Sequence, residues 1–250
     1  MEILSEWEPF TKTVQARRPD AGTWCEGWTV RDVLAHQTGN AEELARVLES
    51  HLSGSPTETR GFEREDPYRA MDDAELWSAF VARCERLTEV TEAASRALVA
   101  DTQVIWTGRS VSVPFFAEHM REELVLHRWD VAGDDAIAQE ALASPWMTRH
   151  TVEDVGKPLL LRGSRGLDLE RDGSIEARLR CPGADDIVIA ATTDGNSITL
   201  ADQEGDAVIY SDPATRVLFL WGRRPADPSR WSSHAGPRTL GRVRALLSGY

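Results

Sequence analysis

Lysine is nearly missing from this 250-residue chain: Lys12 and Lys157 stand against 26 arginines, a bias typical of GC-rich coding sequence. Positive charge as a whole is short, with 28 Lys and Arg against 41 Asp and Glu and a formal net charge of −13. A surface that is acidic on average repels a phosphate backbone, which argues against nucleic acid as a partner. No run approaches the roughly 20 apolar residues that cross a bilayer, and the opening MEILSEWEPF has neither a basic stretch nor an apolar signal core. No membrane association is expected, and the cytoplasm is the expected compartment. Cysteine is scarce too: Cys25, Cys84 and Cys181 are odd in number, widely separated and without a CxxC spacing. They read as reduced and structural, Cys25 in TWCEGW being the one placed where a reactive thiol could sit. There is no G-x-S-x-G elbow, no G-x-G-x-x-G and no P-loop, so a serine hydrolase and nucleotide cofactors lack support.

Hydrophobic residues at 41% and charged residues at 28% are ordinary for a globular protein that buries a real core. At this length the chain can make one large domain or two modest ones. Apolar residues Ile3, Leu4, Trp7, Phe10 and Val14 have helical spacing up to Pro19. Thr29 and Asp32 resemble a capping box that opens a long helix over VRDVLAHQTGNAEELARVLESHL. Residues 54–67 read as a loop, and a third long helix follows, with Leu76, Phe80, Val81, Leu87 and Val90 in phase. After a short extended piece, Pro114 opens a fourth helix, FFAEHMREELVLHRWDVAG, and an amphipathic segment spans Ile137 to Met147.

From about residue 166 the period changes. GLDLE, SIEARLR, DIVIAAT, SITLA and DAVIY read as strands, with Asp172-Gly173 and Asp194-Gly195 as hairpin signals between them. Asp212-Pro213 then starts a helix over PATRVLFLWGRR, and TLGRVRALLSG makes the last one. The expected fold is α+β: a helical bundle over residues 1–150, then a small domain of antiparallel sheet plus helices over 151–250.

Glu123 and His127 lie four apart on the fourth helix, so both project from one face, Cβ atoms ~6 Å apart. His36 lies on the second helix beside Val33, Leu34 and Leu44, which help define its buried side. Two histidines and a carboxylate make a three-ligand site whose fourth position stays open, as in catalytic zinc centres. His119, four residues before Glu123, is in phase as a fourth ligand or a supporting group. On spacing alone, such a pair is more often an ordinary polar contact on a helix, and a lone histidine in a bundle more often a satisfied core residue.

The strings GWTVRDVLAHQTGN (27–40) and REELVLHRWDVAG (121–133), in this order and separation, resemble the two signature segments of the mycothiol-dependent maleylpyruvate isomerase family, a branch of the DinB-like metal-binding bundles. The resemblance implies a divalent metal, zinc by preference, on His36, Glu123 and His127. It also implies a C-terminal domain similar to sterol-carrier folds, since LFLWGRR (218–224) is similar to the family's L-x-L-W-G-R helix. Gln37 departs from the pattern, where an apolar residue is usual after the histidine.

The function so implied is a metal-dependent isomerase or S-transferase that uses mycothiol or a similar thiol on a small, electrophilic, anionic substrate. Thiols are poor nucleophiles until ionised, and a metal favours the thiolate. Arg223 and Arg224 are the candidates to hold the anion or the thiol cofactor, through the bidentate fork that suits carboxylates; they equally suit a solvated helix end. Asp130 is in reach of His127 or its neighbours as an orienting carboxylate, and it suits an N-terminal or surface salt bridge at least as well. Two alternatives stand beside this: a non-enzymatic metal- or ligand-binding protein, and a metal-dependent hydrolase with Glu118 or Glu122 as base.

Overall fold

A computed structural model describes residues 3–248. The chain divides into two compact units, Met1–Ala132 and Gly133–Tyr250. Where the sequence suggests a boundary near 150, the division falls just after the fourth long helix, because the segment that follows packs on a helix of the second unit.

The first unit contains α1 (Trp7–Gln15), α2 (Val30–Leu52), the short α3 (Asp66–Arg69), α4 (Asp73–Ala97), the hairpin β1 (Gln103–Trp106) and β2 (Arg109–Ser112), and α5 (Phe115–Ala132). The helix starts have local causes. The Thr29 hydroxyl accepts the Asp32 N–H, and Asp32 accepts the Thr29 N–H, so two donors at the head of α2 are satisfied reciprocally. Asp72 and Glu75 repeat the arrangement at α4. Helices α1, α2, α4 and α5 bury Phe10, Leu44, Leu48, Phe80, Leu87 and Met120 completely, about 1.5–3 kcal/mol each in transfer free energy. Trp7 stacks on Phe80 with ring centroids 4.6 Å apart. The extended piece expected before Pro114 is a true hairpin. Its two-residue turn puts Thr107 (φ 49°) and Gly108 (φ 76°) in the left-handed region, the requirement of the tight turn that matches strand twist.

The second unit holds α6 (Ala136–Leu142), α7 (Pro145–His150), α8 (Gly156–Gly163), α9 (Leu169–Asp172), β3 (Ile175–Arg180), β4 (Asp186–Thr192), β5 (Gly195–Ala201), β6 (Ile209–Ser211), α10 (Pro213–Leu220), β7 (Trp231–Ser232) and α11 (Pro237–Leu246). The five strands run in the order β5-β4-β3-β6-β7. All neighbours are antiparallel except β3 and β6, so the sheet is antiparallel apart from one short parallel pairing. Alternation on β3 is clean, with Ile175, Ala177 and Leu179 buried.

GLDLE does not form the strand expected of it. Its end is α9, where the Asp168 carboxylate accepts the Arg171 N–H and favours a helical turn over an extended chain. Asp172-Gly173 therefore ends a helix, while Asp194-Gly195 does join two strands, β4 and β5. Helix α8 meets the end of α11 backbone to backbone at Gly163, where an added Cβ would lie 1.9 Å from the Leu246 carbonyl oxygen.

Cys84 and Cys181 are free thiols. Burial pushes the thiols of Cys84 and Cys181 up, which suits structural rather than reactive residues. Among the described residues no helix is long and apolar enough to cross a membrane.

Candidate metal centre

His36 comes from the second turn of α2, and Glu123 and His127 from consecutive turns of α5. All three are buried. Their facing atoms converge: His36 Nε2 lies 3.4 Å, and His127 Nε2 3.3 Å, from Glu123 Oε2. The histidine rings meet edge to face with centroids 4.9 Å apart. Sequence spacing put the three residues on two helices; the structure brings one potential ligand atom from each within 4.8 Å of the others.

The far side of each ring faces a carboxylate. Glu65 Oε1 is 2.7 Å from His36 Nδ1, and Asp130 Oδ2 is 2.8 Å from His127 Nδ1. Burial pushes the Glu65 carboxyl up, but His36 and Arg69 outweigh this and hold it below the ordinary range. An ionised carboxylate accepts, so each Nδ1 carries the proton and each Nε2 turns its lone pair inward. This is the arrangement that presents a histidine to a metal. Buried behind His127, Asp130 takes the orienting place of the two that its position allows, and not that of a surface salt bridge. Sequence alone does not single out Glu65, which lies in the 54–67 stretch whose composition suits a loop.

Glu65 is itself fixed. Arg69 Nη2 donates to Glu65 Oε2 at 2.8 Å, and Arg69 Nη1 to Asp32 Oδ1 at 2.6 Å. Glu65→Gln should therefore keep the fold and lower metal affinity about 10–100-fold, the usual effect of losing such a partner. Competition with a chromophoric chelator measures it; affinity equal to the parent's would remove Glu65 from this role.

A divalent cation fits the residues present. Four nitrogens crowd one oxygen, Glu123 Oε2: those of His36 and His127, Gln37 Nε2 at 3.3 Å and Asn40 Nδ2 at 3.1 Å. A carboxylate oxygen has two lone pairs, and two of these nitrogens point lone pairs of their own at it in the tautomers above. Positive charge between them removes the conflict. In its place a proton can serve: burial disfavours charged His127, yet Asp130 and Glu123 together hold its pKa above the ordinary value. Burial likewise pushes Glu123 up, and the two histidines bring it well below the carboxylate range. The donor set, two imidazoles and one carboxylate, suits zinc and similar ions.

Aromatic rings frame the centre. Trp28 lies parallel to His127 at 5.9 Å and edge-on to His36 at 5.1 Å, and Arg69 covers the Trp28 ring. Phe62, 65% exposed, lies 6.3 Å from His36. His119 stands apart from the trio, stacked on Phe115, its Nε2 3.9 Å from the other Glu123 oxygen. Gln37, the departure from the family pattern, is completely buried and bonded to Glu123.

Arg223 and Arg224 belong to the second unit, just beyond α10. The Arg223 side chain is buried and donates to the Trp221 carbonyl at 3.2 Å. Arg224 is exposed; partial desolvation of its guanidinium, and then the nearby Arg244, lower its pKa. The two arginines line a cavity of about 250 Å³ with Phe219, Trp231, Leu240 and Leu247.

No curated protein matches the chain. Among solved structures, that of the mycothiol-dependent maleylpyruvate isomerase is similar over 90% of this chain and 90% of its own, with 16% identity and a TM-score of 0.60. A histidine-to-alanine mutant of such an isomerase covers 93% of this chain and 92% of its own, also at 16% identity, with a TM-score of 0.58. These likenesses establish the α+β fold, a helical N-terminal part followed by a domain with a largely antiparallel sheet. The family model described as the mycothiol maleylpyruvate isomerase N-terminal domain matches residues 1–132, the whole of the helical unit, and the chain belongs to that family.

Proposed function

We propose that this chain is a metal-dependent, thiol-using isomerase or S-transferase acting on a small electrophilic anion. The observation that carries the reading is the convergence of His36 Nε2, His127 Nε2 and Glu123 Oε2, with a carboxylate behind each ring. Family membership supports the choice of a thiol, mycothiol first.

When bound, a divalent cation supplies the charge that favours a low-molecular-weight thiol as its thiolate near neutral pH. The chain's own residues do the rest. Glu65 and Asp130 hold the imidazole protons at Nδ1 and keep both Nε2 atoms turned inward. Trp28 limits water on the His127 face. Arg223 and Arg224 are the groups of the second unit suited to a carboxylate, by charge and by the planar fork. A thiolate that adds to a conjugated cis double bond leaves a C–C single bond free to rotate. Expulsion of the same thiolate restores the double bond in the trans form, so no net thiol is consumed. In a transferase the C–S bond persists and a leaving group departs instead.

Purified, zinc-loaded protein should isomerise maleylpyruvate, or transfer a thiol to another activated anion, in the presence of mycothiol and lose the activity on chelation. Metal loading without thiol-dependent turnover across a panel of thiols and electrophiles would favour a binding protein. Turnover that ignores the thiol would favour a hydrolase.

A further inference from the structure

Asn40 follows His36 by one helical turn, so its amide stands on the same face of α2 and is 5% exposed. Its Nδ2 lies 3.0 Å from His36 Nε2 and 3.1 Å from Glu123 Oε2, so its two N–H groups meet two of the three candidate ligand atoms. The other end of the amide is fixed: Arg64 donates from Nη2 to Asn40 Oδ1, and Arg64 Nη1 donates to the Gly61 carbonyl at 3.0 Å. A guanidinium cannot accept a hydrogen bond, so the amide cannot turn over without setting donor against donor. Asn40 therefore presents N–H, never C=O, to the centre.

A cation held by His36 Nε2 uses the lone pair that Asn40 now contacts. One buried Asn40 N–H then needs another acceptor, since a buried donor left unsatisfied is costly. The two histidines cannot supply it, because both Nε2 atoms are ligands in that state. Glu123 Oε2 already receives the other N–H and the Gln37 amide. An anion that shares the cation beside His36 is placed to be that acceptor.

We propose that Asn40, oriented by Arg64, is the hydrogen-bond donor to a small anion or thiolate bound beside His36 at the metal centre, and so helps the site select negatively charged ligands. This rests on the metal reading of the site, but not on which reaction follows. A donor already aimed at developing negative charge, inside a buried site, needs no rearrangement when the anion arrives. Polarisation by Arg64 strengthens that donor.

The test is made on full-length, cobalt(II)-loaded protein, with sodium azide and N-acetylcysteine as separate probes and the visible spectrum as readout. Asn40→Leu removes the donor, and Asn40→Asp replaces it with an acceptor of the same size. Both are expected to keep cobalt stoichiometry and to bind azide at least tenfold more weakly than the parent, with Asn40→Asp the weaker. Arg64→Met, which frees the amide to turn, should weaken azide by a smaller factor. Azide affinity unchanged in Asn40→Leu overturns the proposal. So does loss of cobalt itself in both Asn40 variants, which would make Asn40 a support of the metal ligands, and so does a parent that takes up no cobalt. A parent that binds azide in an Asn40-dependent way but gives no thiolate band with N-acetylcysteine sustains the proposal and removes the thiol chemistry instead.

Discussion

Glu123→Ala protein, loaded and dialysed beside the parent, should retain almost no divalent metal, with affinity reduced by at least ~100-fold, more than loss of an outer partner costs. Glu123 is the one anionic member of the trio, and both facing imidazole nitrogens turn toward its Oε2. Elemental analysis measures the loss, and near-stoichiometric metal in the variant would refute the assignment of the site. His36→Ala should behave alike.

The same residue has a pH signature in the chelator-treated protein. His127 has its pKa raised above the ordinary 6.5, so its contribution to stability is complete below 6.5 and fades as pH climbs through the raised value. Glu123 has its pKa lowered well below 4.5, so its contribution is complete above 4.5 and fades as pH falls through the lowered value. The pair should therefore stabilise the metal-free protein most between 4.5 and 6.5. Metal affinity should run the other way, rising with pH as His127 gives up the proton that occupies its place. In Glu123→Ala the acid-side advantage of the metal-free protein should shrink. Thermal melts across pH, with and without chelator, report both trends.

Gly163→Ala should cost the second unit about 3 kcal/mol or more, seen as a fall in its melting temperature of about 10 °C or more. The reason is backbone, not side chain: the new Cβ would sit 1.9 Å from the Leu246 oxygen and 2.6 Å from its carbonyl carbon. No rotamer relieves such a contact, so α8 and α11 must move apart and open the packing around Leu160 and Leu246, both buried. Gly166→Ala is the control, since nothing lies within 4 Å of its added Cβ and its effect should be neutral or slightly stabilising. Equal melting temperatures for the two variants would show that the helices tolerate separation.

The bundle is legible because its signals are local. A hydroxyl and an acid three residues apart mark the head of α2, and a 3.6-residue apolar period marks α4, so neither needs tertiary knowledge. Strands β3 to β5 are legible for the same reason, through short alternating or all-apolar runs and a turn at Asp194-Gly195. GLDLE misleads because two leucines two apart satisfy a strand pattern as well as a short helix, and the Asp168 side chain decides between them. The site is legible only in part. His36, Glu123 and His127 come from spacing plus family likeness, whereas Glu65 lies 29 residues beyond His36 in a polar run with Glu63 and Asp66 as equal claimants. Only the turn of backbone before α3, which also buries Tyr68, selects Glu65 to face inward. Asn40 is a similar case: its helical phase with His36 is visible in the sequence, but the Arg64 contact that orients its amide is not.

The capping box of α2 reaches further than the helix it starts. Asp32 closes the box with Thr29 and also holds Arg69, which holds Glu65, which holds His36, while Trp28, just ahead of Thr29, lies over His127. The string W-T-V-R-D-V-L-A-H thus spells out successive parts of one device rather than a helix start that happens to precede a ligand. A change at Asp32 therefore acts twice, on the start of α2 and on the aim of His36.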